Sequence, residues 1–229
     1  MTQTDYIIKR NKWLEEVSYD CHNFALQNDL DFYAFQTPIE TYNPDLLIIG
    51  INPGGGRSYS SILKEKGIPK RSASDLAFDV NTLTTKPQWE IDDKMKGNDV
   101  MRNKFAKLFS AENGFNNILD NSVMMNMVYF NTPKEADLNS VNSKAKAYCI
   151  SKTIEFIDVL NPKHVLFITS DDNNLKKCSV TDVTRIGNNI TEGLLNGRKV
   201  YTIPHYGNYG AYSNIKIESM GKALSTLLK

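Results

Sequence analysis

The stretch Asp45-Leu46-Leu47-Ile48-Ile49-Gly50-Ile51-Asn52-Pro53-Gly54-Gly55-Gly56-Arg57 decides the fold class of this chain. Leu46 to Ile49 is a continuous apolar run, which suits a strand buried on both faces rather than one with a wet side. The run stops abruptly in a turn rich in glycine, and a helix is expected over Ser58–Lys66. A buried strand, a glycine turn and a helix make the opening unit of a parallel α/β sheet.

Working outward, the same alternation recurs. Asp5 to Leu30 carries Ile7, Ile8, Trp13, Leu14, Val17, Cys21 and Phe24 at helical spacing. Asp99–Phe109 reads as a helix, Val123–Phe130 as a second strand closed by Thr132-Pro133, and Ser143–Leu160 as a helix ended by Asn161-Pro162. His164–Ile168 is a third buried strand. Ile190–Ile203 reads as a hairpin about Asn196-Gly197, whose second half is the last strand, and Ser213–Leu228 is the closing helix. The fold class is therefore α/β: a three-layer α/β/α sandwich with a mostly parallel central sheet. It is expected as one domain over 1–229, with a helical segment 1–43 packed on it. In such sheets ligands bind beyond the carboxyl ends of the strands. Gly50–Arg57, Asn126–Pro133 and His205–Gly210 all fall at such ends, and Gly50–Arg57 and His205–Gly210 are expected to face each other across one cleft.

The 229 residues are 41% hydrophobic and 23% charged, values of an ordinary soluble domain with a sizeable core. No apolar run is long enough to cross a membrane, and Met1–Arg10 has no apolar signal core, so a cytoplasmic location is expected. Cys21, Cys149 and Cys178 are scattered and odd in number, which argues against a disulfide framework, a zinc site or an iron–sulfur cluster. No metal and no cofactor are expected, and the chain is expected to be a monomer. The net charge is +1, small for a nucleic-acid-binding domain, so such a function requires the basic residues to gather on one face.

The glycine turn has three readings. A Walker loop needs a lysine followed by Ser or Thr after its last glycine, and Gly56-Arg57 stands there instead. A dinucleotide fingerprint needs glycine where Asn52 stands. One reading takes the turn as backbone geometry alone. The sharper reading takes Asn52, stiffened by Pro53, as a group that can donate to and accept from a water. Gly54, Gly55 and Gly56 then let bare N–H groups approach a phosphate.

Asp45 to Gly54 resembles the first motif of the uracil-DNA glycosylase superfamily. It is closest to the mismatch-specific uracil and thymine-DNA glycosylase branch, where the motif reads Gly-Ile-Asn-Pro-Gly. Asn126-Met127-Val128 with Pro133 is similar to a strand of related branches in which a polar residue faces the flipped pyrimidine. His205 stands where many branches carry a His-Pro-Ser motif. The resemblance runs from about Asp45 to the C-terminus. It implies that Asn52 orients the attacking water, and that DNA is the partner. The chain departs from the family in three ways. His205 is followed by Tyr206-Gly207-Asn208-Tyr209-Gly210 rather than Pro-Ser. No acidic residue replaces Asn52. The branch with this first motif usually has Asn rather than His in the second.

N-glycosidic hydrolysis passes through a sugar with oxocarbenium character. A strong base is then dispensable, whereas a placed water and a stabilised leaving group are not. Asn52 and His205 are the catalytic candidates, the latter as donor to a pyrimidine carbonyl. Ile51, Phe78, Asn126 and Asn131 are the candidates for holding the base, with Tyr59 a further stacking candidate. Gly54, Gly55, Gly56, Arg57, Tyr206, Asn208 and Tyr209 are the DNA-binding candidates. Tyr206, Tyr209 and Tyr212 can stack on or wedge between bases. Lys64, Lys66, Lys70 and Arg71 form a local basic cluster that fits a phosphate track. Asp171-Asp172 are expected to cap the helix that follows rather than to hold magnesium. The expected activity is excision of a uracil, a damaged or a modified pyrimidine from DNA, leaving an abasic site. The departures at His205 extend this to modified bases of viral DNA and a role in defence. Hydrolysis of free nucleosides or nucleotides, or nucleic-acid binding without catalysis, are the alternatives.

Overall fold

Leu46–Gly50 form β1, and all five residues are buried, as the unbroken apolar run requires. The computed structural model describes residues 1–76, 101–169, 171–205, 208 and 210–229. Among them β1 belongs to a six-stranded mixed sheet of order β2-β1-β3-β6-β5-β4, where β2 is Ser122–Asn126, β3 is His164–Ile168, β4 is Thr181–Gly187, β5 is Ile190–Leu195 and β6 is Arg198–Ile203. β3 and β6 pair in parallel, with Leu166 beside Tyr201. β4–β5 and β5–β6 pair antiparallel. The α/β class expected from the sequence is therefore observed.

The chain divides into two compact units. The first comprises Met1–Pro44, Ile49–Val80 and Val123–Pro162, the second Asp45–Ile48, Asn81–Ser122 and Lys163–Lys229.

In the first unit, helix α1 spans Gln3–Asn28. Thr2 and Asp5 close its N-terminus reciprocally as a capping box, and Asp29 ends it in the left-handed region at φ 47°. α2 spans Tyr59–Lys66, capped by Ser58 and ended by Gly67 at φ 64°. Ser143–Leu160 is the long helix of this unit; Asn142 caps its start and Asn161 ends it at φ 49°, just before Pro162. Trp13 locks α1 to that helix: its ring centroid lies 4.6 Å from that of Phe156, and its indole N–H donates to Lys152 O at 3.1 Å. Strand β2 is shorter than the sequence suggests, ending at Asn126 rather than at Phe130. The chain beyond stays extended enough for Met127 and Val128 N–H to reach Gly50 and Ile51 carbonyls at 2.8 and 2.9 Å. Phe130 then bridges to Phe32.

In the second unit, helix Met101–Phe109 crosses the closing helix, Asn214–Leu227. The crossing is so close that a Cβ on Gly221 would lie 2.2 Å from Leu108 O. The hairpin turn at Asn196 and Gly197 has φ 50° and 78°, the all-positive geometry that Asn-Gly favours. A second such turn, at Asn188 and Asn189 (φ 51° and 60°), joins β4 to β5. β4 is not legible in the sequence: six of its seven residues are exposed, so it carries no apolar alternation. Asp171 caps the short helix Asp172–Lys177, accepting from Asn173 N–H at 2.9 Å. No helix of the described residues is long and apolar enough to cross a membrane.

Candidate active site

Beyond β1 the chain turns through Ile51 to Arg57 in the first unit. Four carbonyls of this turn are bound by the protein, that of Ile51 by Val128 N–H at 2.9 Å. Pro53 O accepts from Thr132 N–H at 3.3 Å and from the Asn52 side chain at 2.9 Å. Gly54 O accepts from Tyr33 Oη at 3.4 Å, and Arg57 O from Asp31 N–H at 3.1 Å. The N–H groups of Gly54, Gly55, Gly56 and Arg57 have no partner among the described residues. A turn anchored through its carbonyls leaves these four successive exposed amides available to an anion. Gly55 sits at φ 103°, which demands glycine. At Gly56 a Cβ would meet the Pro133 ring at 2.8 Å. Burial drives the Tyr33 phenol up to about 12, with the charge of Asp31 adding to it, so Tyr33 stays a donor to the turn at every physiological pH.

Asn52, half-buried, gives both amide hydrogens away. Nδ2 donates to Pro53 O and to Thr132 Oγ1, each at 2.9 Å. Thr132 Oγ1 spends its own hydrogen on Lys134 O at 2.8 Å, so toward Asn52 it can only accept. Both neighbours are acceptors, which fixes which end of the amide is nitrogen. Oδ1 is left with no donor among the described residues, and the group presents a single oriented acceptor.

Two other amides stand beside the turn. Asn126, 1% exposed, ends β2. Its Oδ1 accepts from Gln36 at 3.4 Å and lies 3.0 Å from where a Cβ on Gly50 would be. A side chain at 50 would crowd the Asn126 amide. Asn126 Nδ2 is buried with no hydrogen-bond partner among the described residues. Asn131, 5% exposed, has its Oδ1 buried and equally unpartnered, and its Nδ2 lies 3.7 Å from a Cβ built on Gly55. A buried polar group without a partner costs about 1–3 kcal/mol, so one donor and one acceptor left bare in the same unit need a reason.

Several sequence candidates are placed differently from expectation. Tyr59 is fully buried, its hydroxyl 2.9 Å from His22 Nδ1 and accepting from Arg71 N–H at 3.1 Å, so it is core rather than a stacking surface. Arg71 is 8% exposed and pairs with Asp31 in bidentate fashion at 2.7 and 2.5 Å, which removes it from a phosphate track. Tyr212 is 3% exposed and donates to Pro204 O, so it cannot wedge into DNA. Lys64, Lys66 and Lys70 are exposed. Arg57 is exposed and ion-paired with Glu65. The amino end of α2 is no free anion site, because the Asp29 carboxylate accepts from Ser60 N–H and from both Ser58 and Ser60 hydroxyls. Ile51 is buried, its carbonyl bound by Val128.

In the second unit, β6 runs into Pro204 and half-buried His205. His205 O accepts from Asn208 N–H at 2.8 Å, and the Asn208 side chain accepts from Ala211 N–H at 3.2 Å, so Asn208 holds a local turn. Phe78, Tyr206 and Tyr209 lie outside the described residues. No group of three or more potential metal-binding side chains occurs among the described residues. Sequence reasoning missed Thr132, Asp31 and Tyr33, which fix the turn through bonds to residues distant in sequence. No protein-family model matches the chain, and no curated protein matches it significantly.

Proposed function

We propose that the protein is a DNA glycosylase of the uracil-DNA glycosylase superfamily, built as a three-layer α/β/α domain with a mostly parallel sheet core. It flips a pyrimidine out of DNA and hydrolyses its N-glycosidic bond. The observation that carries this is the pair of buried, unpartnered amide atoms Asn126 Nδ2 and Asn131 Oδ1 in the unit that holds the locked amide of Asn52. A donor and an acceptor that find no protein partner are what the edge of an extruded base requires.

In this mechanism the four free amides of Gly54–Arg57 take a backbone phosphate. Asn126 and Asn131 hold the base edge. The C1′–N1 bond breaks with its electron pair going to the base, and a water whose hydrogen is accepted by Asn52 Oδ1 attacks C1′. The water proton leaves to the base or to solvent, giving free base and an abasic sugar. Asn52 is a neutral acceptor that orients the water and takes no proton, which is sufficient once the sugar is cationic. His205 is the sequence candidate for donation to the leaving base.

Hydrolysis of a free nucleoside or nucleotide is the second reading. It is favoured by the net charge of +1 and by the engagement of Arg57 and Arg71 in ion pairs. One experiment separates the two. The purified protein is incubated with single- and double-stranded oligonucleotides containing uracil, hypoxanthine, mismatched thymine or modified cytosines, and with the matching free nucleosides, and released base is measured by chromatography. Release from an oligonucleotide supports the glycosylase, and release from nucleosides alone supports the second reading.

A further inference from the structure

Asp31 touches both sides of the proposed site through its backbone. Its N–H donates to Arg57 O at 3.1 Å, at the end of the glycine turn, and its carbonyl accepts from Asn131 N–H at 2.9 Å. Two residues on, Tyr33 reaches Gly54 O. The Asp31 side chain points the other way, into the bidentate pair with Arg71. Arg71 is itself held on two sides, its N–H by Tyr59 Oη and its carbonyl by Ser18 Oγ at 2.9 Å. Side chains of this pair are 9% and 5% exposed. A buried ion pair is a poor source of net stability, because desolvation offsets the attraction, but its two parallel bonds fix position and angle tightly.

We propose that the Asp31–Arg71 pair is a positioning device that sets the spacing between Asn131 and the glycine turn, and so the fit of the base to its amide readers. The part of this that concerns turnover rests on the glycosylase reading; the geometric part does not. Arg71 holds Asp31, and Asp31 holds Asn131 on one side and Arg57 on the other. A single guanidinium therefore governs two elements with which it shares no sequence neighbourhood.

Arg71→Lys keeps the charge and loses the fork, and Asp31→Asn keeps the shape and loses the charge. Two readouts apply to both variants. Amide hydrogen exchange reports geometry: protection of the Asp31 and Asn131 N–H groups is expected to fall about tenfold or more, while that of Phe167 in the second unit stays as in the wild type. Kinetics report function: kcat is expected to fall about 10- to 100-fold, the penalty for misplacing a reacting group by about 1 Å, with KM changed less than about threefold. Unchanged protection at Asp31 and Asn131, a uniform loss throughout the chain, or failure of both variants to fold overturns the proposal, since each makes the pair an ordinary structural contact. If the wild type releases no base from any substrate, the glycosylase reading fails, and hydrogen exchange alone decides the geometric claim.

Discussion

Asn52 Nδ2 lies 2.9 Å from Thr132 Oγ1, across 80 residues of sequence, and the hydroxyl it meets has already given its hydrogen to Lys134 O. That relationship turns a rotatable amide into a fixed acceptor. Thr132→Val removes the acceptor and frees Asn52 to rotate. Base release is expected to slow about tenfold, equivalent to about 1.4 kcal/mol of transition-state stabilisation. The midpoint of urea unfolding should drop by an amount matching about 1 kcal/mol. Steady-state kinetics and an unfolding curve check both. A variant as active as the wild type would show that the Thr132 contact does not hold the water site.

Asn126 carries a buried donor with no partner, which a fold without a ligand would be more stable without. Asn126→Leu, similar in size and free of polar atoms, is expected to raise the melting temperature by about 2–4 °C for about 1 kcal/mol in a chain of this size, and to abolish base release. The combination of higher stability and lost activity marks a site kept strained for function. A destabilised variant would mean that the bond from Gln36 to Asn126 Oδ1 outweighs the cost of the bare donor.

His205→Ala is expected to slow cleavage most for bases that leave poorly, because these need the most charge stabilisation from a donor. Removing one such donor costs about 2.7–4 kcal/mol in comparable oxyanion sites. Rates across a substrate series test this. A uniform effect on every base would make His205 structural.

His22 gives the stability a pH dependence. Tyr59 Oη accepts from Arg71 N–H and lies 2.9 Å from His22 Nδ1; a phenol hydrogen donated there is one that only a neutral imidazole accepts. Burial first, and the charge of Lys70 second, hold His22 below its ordinary 6.5. The unfolded chain therefore binds more protons between the folded value and 6.5, and stability rises with pH through that window. It is present above 6.5 and lost as pH falls through the folded value. Urea midpoints measured from pH 7.5 to 5 should decline, and His22→Gln should flatten the decline. An identical decline in the variant removes His22 from the linkage.

The parts of the fold that read clearly in the sequence are those whose burial is uniform or strictly periodic. Leu46–Gly50 and the helix Ser143–Leu160 with its Asn161-Pro162 stop are of this kind, and so is the Asn196-Gly197 turn. β4 escaped because an exposed edge strand has no core face to imprint a pattern. The candidate site was legible only where residues are contiguous, as in Gly50–Arg57, or end a buried strand, as Asn126 does. Arg71 was misread because it follows Lys70 and looks like one more surface cation, while its partner Asp31 stands 40 residues away. Tyr59 was misread for a related reason: a tyrosine next to a glycine turn suits stacking, and the contacts that bury its hydroxyl come from His22 and Arg71, both distant in sequence.

Base release by Asn52→Ala beside the wild type, on the oligonucleotide that the wild type cleaves best, tests the central claim most directly. Asn52 acts on the water in the transition state and contributes little to ground-state binding. The expected result is a loss of about 100-fold or more in turnover, with DNA affinity within about threefold of the wild type. Equal turnover in the two proteins, or no base released from any oligonucleotide by the wild type, would contradict it.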